Sequence, residues 1–373
     1  MAEGGLQDVI ASDSKICLLD GVKGRLVYRG YDVADLVEHC GFEEVAHLLW
    51  TGALPTAAEL DSLKRKLAAH RPLSGAMHHL LGDLPASAPA MSLLRTCVSA
   101  MGLTDPRAES SDLAVNLEMA QEMTAQIASI VASIHRLRRG HGPVQPEPGL
   151  SHAANFLYML SGKRPDERAA RIFDGCLILH AEHEFNASTF TARVIAATLS
   201  DIYSAITGAI GALRGPLHGG ANQKVMLMLQ EIGRPAKAAD HVRRLLAAKQ
   251  KVMGFGHRVY KTEDPRATFL RRWSQELGEK LGQPQWFEIS QVVEHVMLEE
   301  KKIHCNVDFY SASVYHLLGI PTDLFTPVFA ASRTVGWTAH VLEQYADNRL
   351  IRPLAKYVGP VDLKVPPIAQ RRS

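Results

Sequence analysis

The sequence predicts an all-α protein with little sheet beyond one hairpin near its start. Three observations carry that prediction. Apolar residues recur at helical spacing through most of the chain from residue 56 to residue 344. Capping residues, glycines and prolines punctuate that text where helices should start and stop. Only one early stretch has the turn chemistry of paired strands.

The elements follow in order. Residues 16–31 read as strand, turn, strand, because Asp20-Gly21 and Lys23-Gly24 lie between short apolar runs. Thr56-Ala57-Ala58-Glu59 behind Pro55 is a capping box and opens a helix over 56–69. A long helix over 112–138 has Arg136, Arg138 and Arg139 near its end and Gly140 beyond. Cations there meet the negative end of the helix dipole, and glycine suits the stop. Residues 140–149 form a Pro/Gly loop. Helical periodicity resumes over 151–160 and 166–183, and 189–214 is again apolar and helix-compatible. Gly208, Gly211 and Gly215 there would permit close helix approach. Further helical patterns cover 222–230, 237–250, 268–281, 288–302, 311–318 and 326–344. The tail, 357–373, carries Pro360, Pro366 and Pro367 and should be extended.

Composition bounds the function. A chain of 373 residues suggests two domains. With 46% hydrophobic and 21% charged residues it is an ordinary globular mix. The balance of 41 basic against 39 acidic residues, net +2, argues against nucleic acid as the main partner. Cys17, Cys40, Cys97, Cys176 and Cys305 are odd in number and form no CxxC pair, which fits a reducing cytoplasm. The start, Met1 to Gly5, has no signal-peptide pattern, and no window approaches a membrane span. No repeats or low-complexity segments occur.

Three polar stretches interrupt the helical text. In Gly215-Pro216-Leu217-His218-Gly219-Gly220-Ala221-Asn222, glycines let backbone and ligand approach a histidine closely. The stretch Met253-Gly254-Phe255-Gly256-His257-Arg258-Val259-Tyr260-Lys261, continuing to Asp264-Pro265-Arg266, packs a histidine among cations and suits an anionic ligand. In Asn306-Val307-Asp308-Phe309-Tyr310-Ser311, an acid sits in apolar text, where partial burial would make it a useful base. Taken singly, His218 could be a turn residue and Asp308 the cap of a helix starting near Ser311. Arg266, Arg333 and Arg352 each lie in a short polar break, and three such planar forks suggest a di- or tricarboxylate ligand. The run His180-Ala181-Glu182-His183-Glu184 raises a metal reading, but it is not HExxH and lacks an evident third ligand.

Together these segments resemble the citrate synthase family, which includes the 2-methylcitrate synthases. The matching text is HAEHEFNAS, GPLHGGAN, VMGFGHRVYKTEDPRA, NVDFYS, FAASRTVGWTAH and NRLIRP, in the family's order, with GRLVYRGYDV and FEEVAHLLWTGALPT before them. The resemblance implies an all-α fold of two domains. The large one, residues 1–218 and 314–373, forms a homodimer or a larger assembly of dimers. The small one, residues 219–313, closes over substrate. It implies catalytic roles for His218, His257 and Asp308. His183, Arg266, Arg333 and Arg352 would hold the oxo acid. A coenzyme A loop would include Lys251, Val252, Met253, Gly254, Phe255, Arg258 and Lys261. No tightly bound cofactor or metal is expected; a coenzyme A thioester is the co-substrate. Without a long N-terminal extension the chain looks like the short bacterial or archaeal form.

The expected reaction joins acetyl-CoA to oxaloacetate and hydrolyses the coenzyme A ester to citrate. The alternative within the family uses propionyl-CoA, with Phe185, Phe309 and Tyr310 as candidates for setting acyl length. Two readings from other classes remain. A metallohydrolase would use His180, His183 and Glu184 and lose activity with chelator. A non-catalytic helical scaffold would bind neither substrate.

Overall fold

The computed structural model describes residues 9–371. The start, Met1 to Gly5, read above as lacking a signal peptide, lies outside that range. Strands β1 (Cys17–Asp20), β2 (Arg25–Tyr28) and β3 (Tyr31–Asp32) form one antiparallel sheet in the order β1-β2-β3. Asp20 pairs with Arg25, so residues 21–24 make the turn. The Asp20 Oδ1 closes it by accepting the Val22 and Lys23 N–H groups at 3.1 and 2.9 Å. The third strand was not foreseen.

The helices are α1 (Val33–His39), α2 (Phe42–Thr51), α3 (Ala57–His70), α4 (Gly75–Asp83), α5 (Ala90–Thr104) and α6 (Leu113–Arg138). Next come α7 (His152–Ser161), α8 (Glu167–Ala181), α9 (Ala187–Ala196), α10 (Ile202–Leu213) and α11 (Ala221–Ile232). The last five are α12 (Ala238–Ala247), α13 (Pro265–Lys280), α14 (Gln285–Lys301), α15 (Val307–Leu317) and α16 (Phe325–Ala346). The expected capping box forms at α3: Thr56 Oγ1 accepts the Glu59 N–H at 3.3 Å and Glu59 accepts the Thr56 N–H at 2.8 Å.

Four differences from the sequence reading have local causes. Helices α1, α2, α4 and α5 were not delimited in advance. The stretch 189–214 is two helices, because Leu199 turns left-handed (φ 62°) and Asp201 starts α10 by accepting the Ser204 N–H at 2.8 Å. Helix α13 begins at Pro265, not 268, with Asp264 as its cap. Helix α15 begins at Val307, capped by Asn306, whose Oδ1 accepts the Asp308 N–H at 3.0 Å. Asp308 is therefore not a cap, and its carboxylate is left for other work.

Helix α16 is buried on nearly every side and packs against α6, α8, α9, α10 and α2. A helix buried all round marks the centre of a large core. Close approach there depends on Gly336, where an added Cβ would lie 2.3 Å from the Ala181 carbonyl oxygen at the end of α8. Gly208 plays the same part between α10 and α9, with Ile195 2.2 Å from a hypothetical Cβ; at Gly211 the nearest neighbour, Arg95 of α5, is 4.0 Å away, and Gly215 meets only its own turn. The end of α8 is also fixed by Tyr28, whose hydroxyl donates to the Glu182 carbonyl at 2.9 Å. Beyond α16 the described tail is exposed and extended save for one short 3-10 turn at Ile368–Gln370. Among the described residues no helix is long and apolar enough to cross a membrane.

Candidate active site

Five segments converge on one cavity of about 420 Å³. The link from α8 to α9 supplies His183, Phe185 and Asn186. The link from α10 to α11 supplies Leu217 and His218. The loop before α13 supplies Gly256, His257, Arg258 and Val259, and the starts of α13 and α15 supply Arg266 and Asp308. Helix α16 adds Thr326, Phe329 and Arg333. His218, His257, Asp308, His183, Arg266 and Arg333 thus share one space.

Hydrogen bonds fix which nitrogen of each histidine carries the proton. His257 Nδ1 accepts the backbone N–H groups of Val259 and Tyr260 at 3.0 and 3.1 Å. A nitrogen that accepts carries no proton, so Nε2 of His257 is the N–H donor. His218 is arranged the other way. Its Nε2 faces the Ser188 backbone N–H at 3.3 Å and the Ser188 hydroxyl at 2.8 Å. The proton of His218 therefore sits on Nδ1. The Ser188 hydroxyl in turn accepts the Trp337 indole N–H at 3.1 Å. Burial pushes the pKa of both rings down to about 4, helped by Arg333 at His218 and by Arg266 at His257. Both are neutral donors at ordinary pH.

Asp308 behaves oppositely. Burial pushes its pKa up to about 6, against the pull of Arg266 and Arg333 and with the push of Asp264. It sits in the first turn of α15, and among the described residues no hydrogen bond ties up its carboxylate. The result is a carboxylate with the basicity of a working general base.

The two arginines are buried but differently paired. Arg266 makes a two-pronged ion pair with Asp264 at 2.9 and 2.7 Å. Asp264 also accepts the Val307 N–H at 3.1 Å, which ties Arg266 to the helix bearing Asp308. Burial alone would raise the Asp264 carboxyl, but Arg266 holds it below the usual range. Arg333 donates to the His180 carbonyl at 2.7 Å and lies over the Phe329 ring. Among the described residues no carboxylate reaches it. His183 Nε2 is likewise buried without a partner among them. A buried cation without a direct ion-pair partner and an unpaired buried ring nitrogen cost several kcal/mol together, on the order of magnitude usual for such groups. An anionic ligand in the cavity would relieve both.

Several anticipated residues lie elsewhere. Arg352 follows α16 in the exposed tail and lines a different cavity with Arg29, Arg193 and Glu343. Within one chain it is not brought to His218. Val252, Gly254 and Phe255 pack inward, Phe255 against Phe309 with ring centres 4.6 Å apart, so they shape the loop. Met253 is half-buried, while Lys251, Arg258 and Lys261 are exposed. Phe309 and Tyr310 are wholly buried and do not line the cavity; Phe185 does.

The metal reading finds no cluster of ligands: among the described residues His180, His183 and Glu184 do not bring three ligand atoms within metal reach of one another. Among the described residues, the one trio of ligand-type side chains within metal reach is Glu263, Glu294 and Cys305. There Arg271 already bridges the two carboxylates. Sequence reasoning missed Ser188, Trp337 and Asp264. The Asp-Pro and Asn-x-Ser cap signals marked Asp264 and the region of Ser188, while nothing local marked Trp337.

The family model for the C-terminal domain of citrate synthase matches residues 5–354. A citrate synthase of Haloferax volcanii is 50% identical, covering 98% of this chain and 98% of its own. A 2-methylcitrate synthase of Shewanella oneidensis is 45% identical over 98% of this chain and 97% of its own. The solved citrate synthase of the archaeon Thermoplasma acidophilum holds carboxymethyl coenzyme A and oxaloacetate. It superposes with a TM-score of 0.93 at 34% identity, covering 98% of each chain.

Proposed function

The chain belongs to the citrate synthase family, and we propose that it condenses acetyl-CoA with oxaloacetate in the cavity around Asp308 and hydrolyses the coenzyme A ester to citrate. It is an acyltransferase by family. The observation that carries the site assignment is the meeting of a base of raised pKa, two neutral histidines of opposite tautomer, and a buried unpaired arginine in one cavity.

Asp308 takes a proton from the carbon next to the thioester. The Nδ1–H of His218 donates to the thioester oxygen as that carbon becomes an enol. Such a preorganised donor is worth about 10²–10³ in rate. The enol carbon attacks the oxaloacetate carbonyl, and the Nε2–H of His257 moves toward the developing alkoxide. Arg266, Arg333 and His183 hold the carboxylates, so the reacting carbons meet in line. Water then cleaves the thioester of the condensed product, releasing coenzyme A. Arg258 on the cavity wall, with the exposed Lys251 and Lys261 of the same loop, suits the phosphates of coenzyme A.

A homodimer is part of the proposal. The tail after α16 exposes Leu350, Leu354, Tyr357 and Val358, apolar groups that a second copy would cover. The same arrangement would carry Arg352 toward the cavity of the second copy. Residues 219–313 would move as the closing domain and exclude water. Five free cysteines suit a reducing cytoplasm.

The 2-methylcitrate alternative differs by one methyl group, worth only about 1–3 kcal/mol of discrimination. The 45% identical 2-methylcitrate synthase keeps that reading in view. The test is the ratio of kcat/KM for acetyl-CoA and propionyl-CoA with oxaloacetate, beside Asp308→Ala. A ratio favouring acetyl-CoA and loss of condensation in the variant are expected. Near-normal turnover by Asp308→Ala would overturn the assignment, and a ratio favouring propionyl-CoA would replace the substrate.

A further inference from the structure

We propose that the turn of the first hairpin, centred on Gly21, is a clasp that positions His257 from outside the cavity; this rests on the catalytic role given to His257 above. The turn lies flat against the loop that carries this histidine. The Lys261 N–H donates to the Gly21 carbonyl at 2.9 Å. A Cβ on Gly21 would sit 2.2 Å from the Val259 carbonyl oxygen, and one on Gly24 would sit 2.7 Å from Thr262 Oγ1. At Gly21 backbone meets backbone, so no flexible side chain can give way; at Gly24 the nearest atom belongs to the Thr262 side chain.

The contact reaches the chemistry in one further step. The amide of Val259, the residue Gly21 presses on, donates to His257 Nδ1 at 3.0 Å. That bond sets the tautomer that leaves Nε2–H facing the cavity. On its other side the loop is pinned to the Asp308 segment. Gly256 N–H donates to the His304 carbonyl at 3.0 Å, and Asn306 N–H donates to the Gly254 carbonyl at 2.9 Å. The loop is therefore gripped between the hairpin and the start of α15. Leu19, on the strand leading into the turn, lines the cavity wall. Asp20 holds the turn in shape through its bonds to Val22 and Lys23. Gly21 is a positioning residue and touches no substrate.

The test compares Gly21→Ala with Gly30→Ala. Gly30 lies in the next turn of the same sheet, between β2 and β3, with nothing within 4 Å of a hypothetical Cβ. Gly21→Ala should lower kcat at least tenfold while the KM for oxaloacetate changes less than threefold. Gly30→Ala should keep kcat within threefold. Amide exchange of substrate-free protein gives a readout independent of activity. Lys261 should be protected in the parent and in Gly30→Ala, and unprotected in Gly21→Ala. If Gly21→Ala does not fold, Asp20→Ala is measured by the same criteria. The clasp is overturned by an unprotected Lys261 in the parent, by kcat retained within twofold, or by equal losses in the two glycine variants. A parent that fails to condense the substrates removes the functional reading and leaves the exchange result standing.

Discussion

Burial opposes ionisation of Asp308, Arg266 and Arg333 favour it, and the balance puts its pKa at about 6 in place of 3.8. The folded chain therefore holds that proton more tightly than the unfolded chain. Ionised Asp308 costs stability above pH 6, and the cost disappears below the unfolded value. Asp308→Asn should stabilise the substrate-free protein at pH 8, by about 1–3 kcal/mol, and leave it unchanged near pH 3. Thermal melts at both values check this; an equal gain at both would show that ionisation is not the cause. The same pKa sets the acid limb of activity. The kcat/KM should fall tenfold per unit below pH 6, since both histidines stay neutral down to about 4. A profile flat from pH 7 to pH 5 would remove Asp308 as the base. The identities of these groups were legible in three polar stretches of sequence. Their protonation states were not, because they depend on burial and, for His218, on Ser188, more than twenty residues away in the chain.

The crossing of α8 and α16 builds the oxo-acid side of the site. Arg333 sits one helical turn before Gly336, and both touch the last turn of α8 or the residue after it. Gly336→Ala would drive a methyl group into the Ala181 carbonyl, and overpacking of that kind costs about 1–3 kcal/mol. Because the strain falls where Arg333 is held, oxaloacetate affinity should drop with stability. Calorimetric titration beside a thermal melt tests this, and unchanged affinity in a destabilised variant would separate the crossing from the site. Helix periods and most caps were readable from sequence, as the capping box at Thr56 shows. Starts were placed late at α13 and α15 because periodicity weights apolar residues, whereas Asp264 and Asn306 act through single side-chain bonds. Three of the four early helices that escaped are short, seven to ten residues, although Asp32 caps α1, Gly52 ends α2 and Ser74 caps α4.

At the scale of the whole molecule, the tail and Arg352 stand apart from the cavity of their own chain. Deleting the chain after Asp347 removes Arg352 and the exposed apolar residues together. The truncated protein should lose the proposed dimer in sedimentation and show an oxaloacetate KM raised at least tenfold. A truncated dimer with unchanged KM would exclude Arg352 from the site. Arg352→Ala in the full chain should raise KM and leave the dimer intact, which separates binding from assembly.

The sequence by itself determined the all-α class, the family, and the residue types that carry the chemistry. These are local properties: periodicity, caps, and short motifs in a fixed order. Tertiary structure decided what each residue can do. It brought five segments together and turned the two histidines to opposite tautomers. It raised one carboxyl and left Arg333 buried without a direct ion-pair partner among the described residues. Apart from the His257 tautomer, which the neighbouring Val259 and Tyr260 set, those outcomes depend on burial and on contacts between residues far apart in the chain.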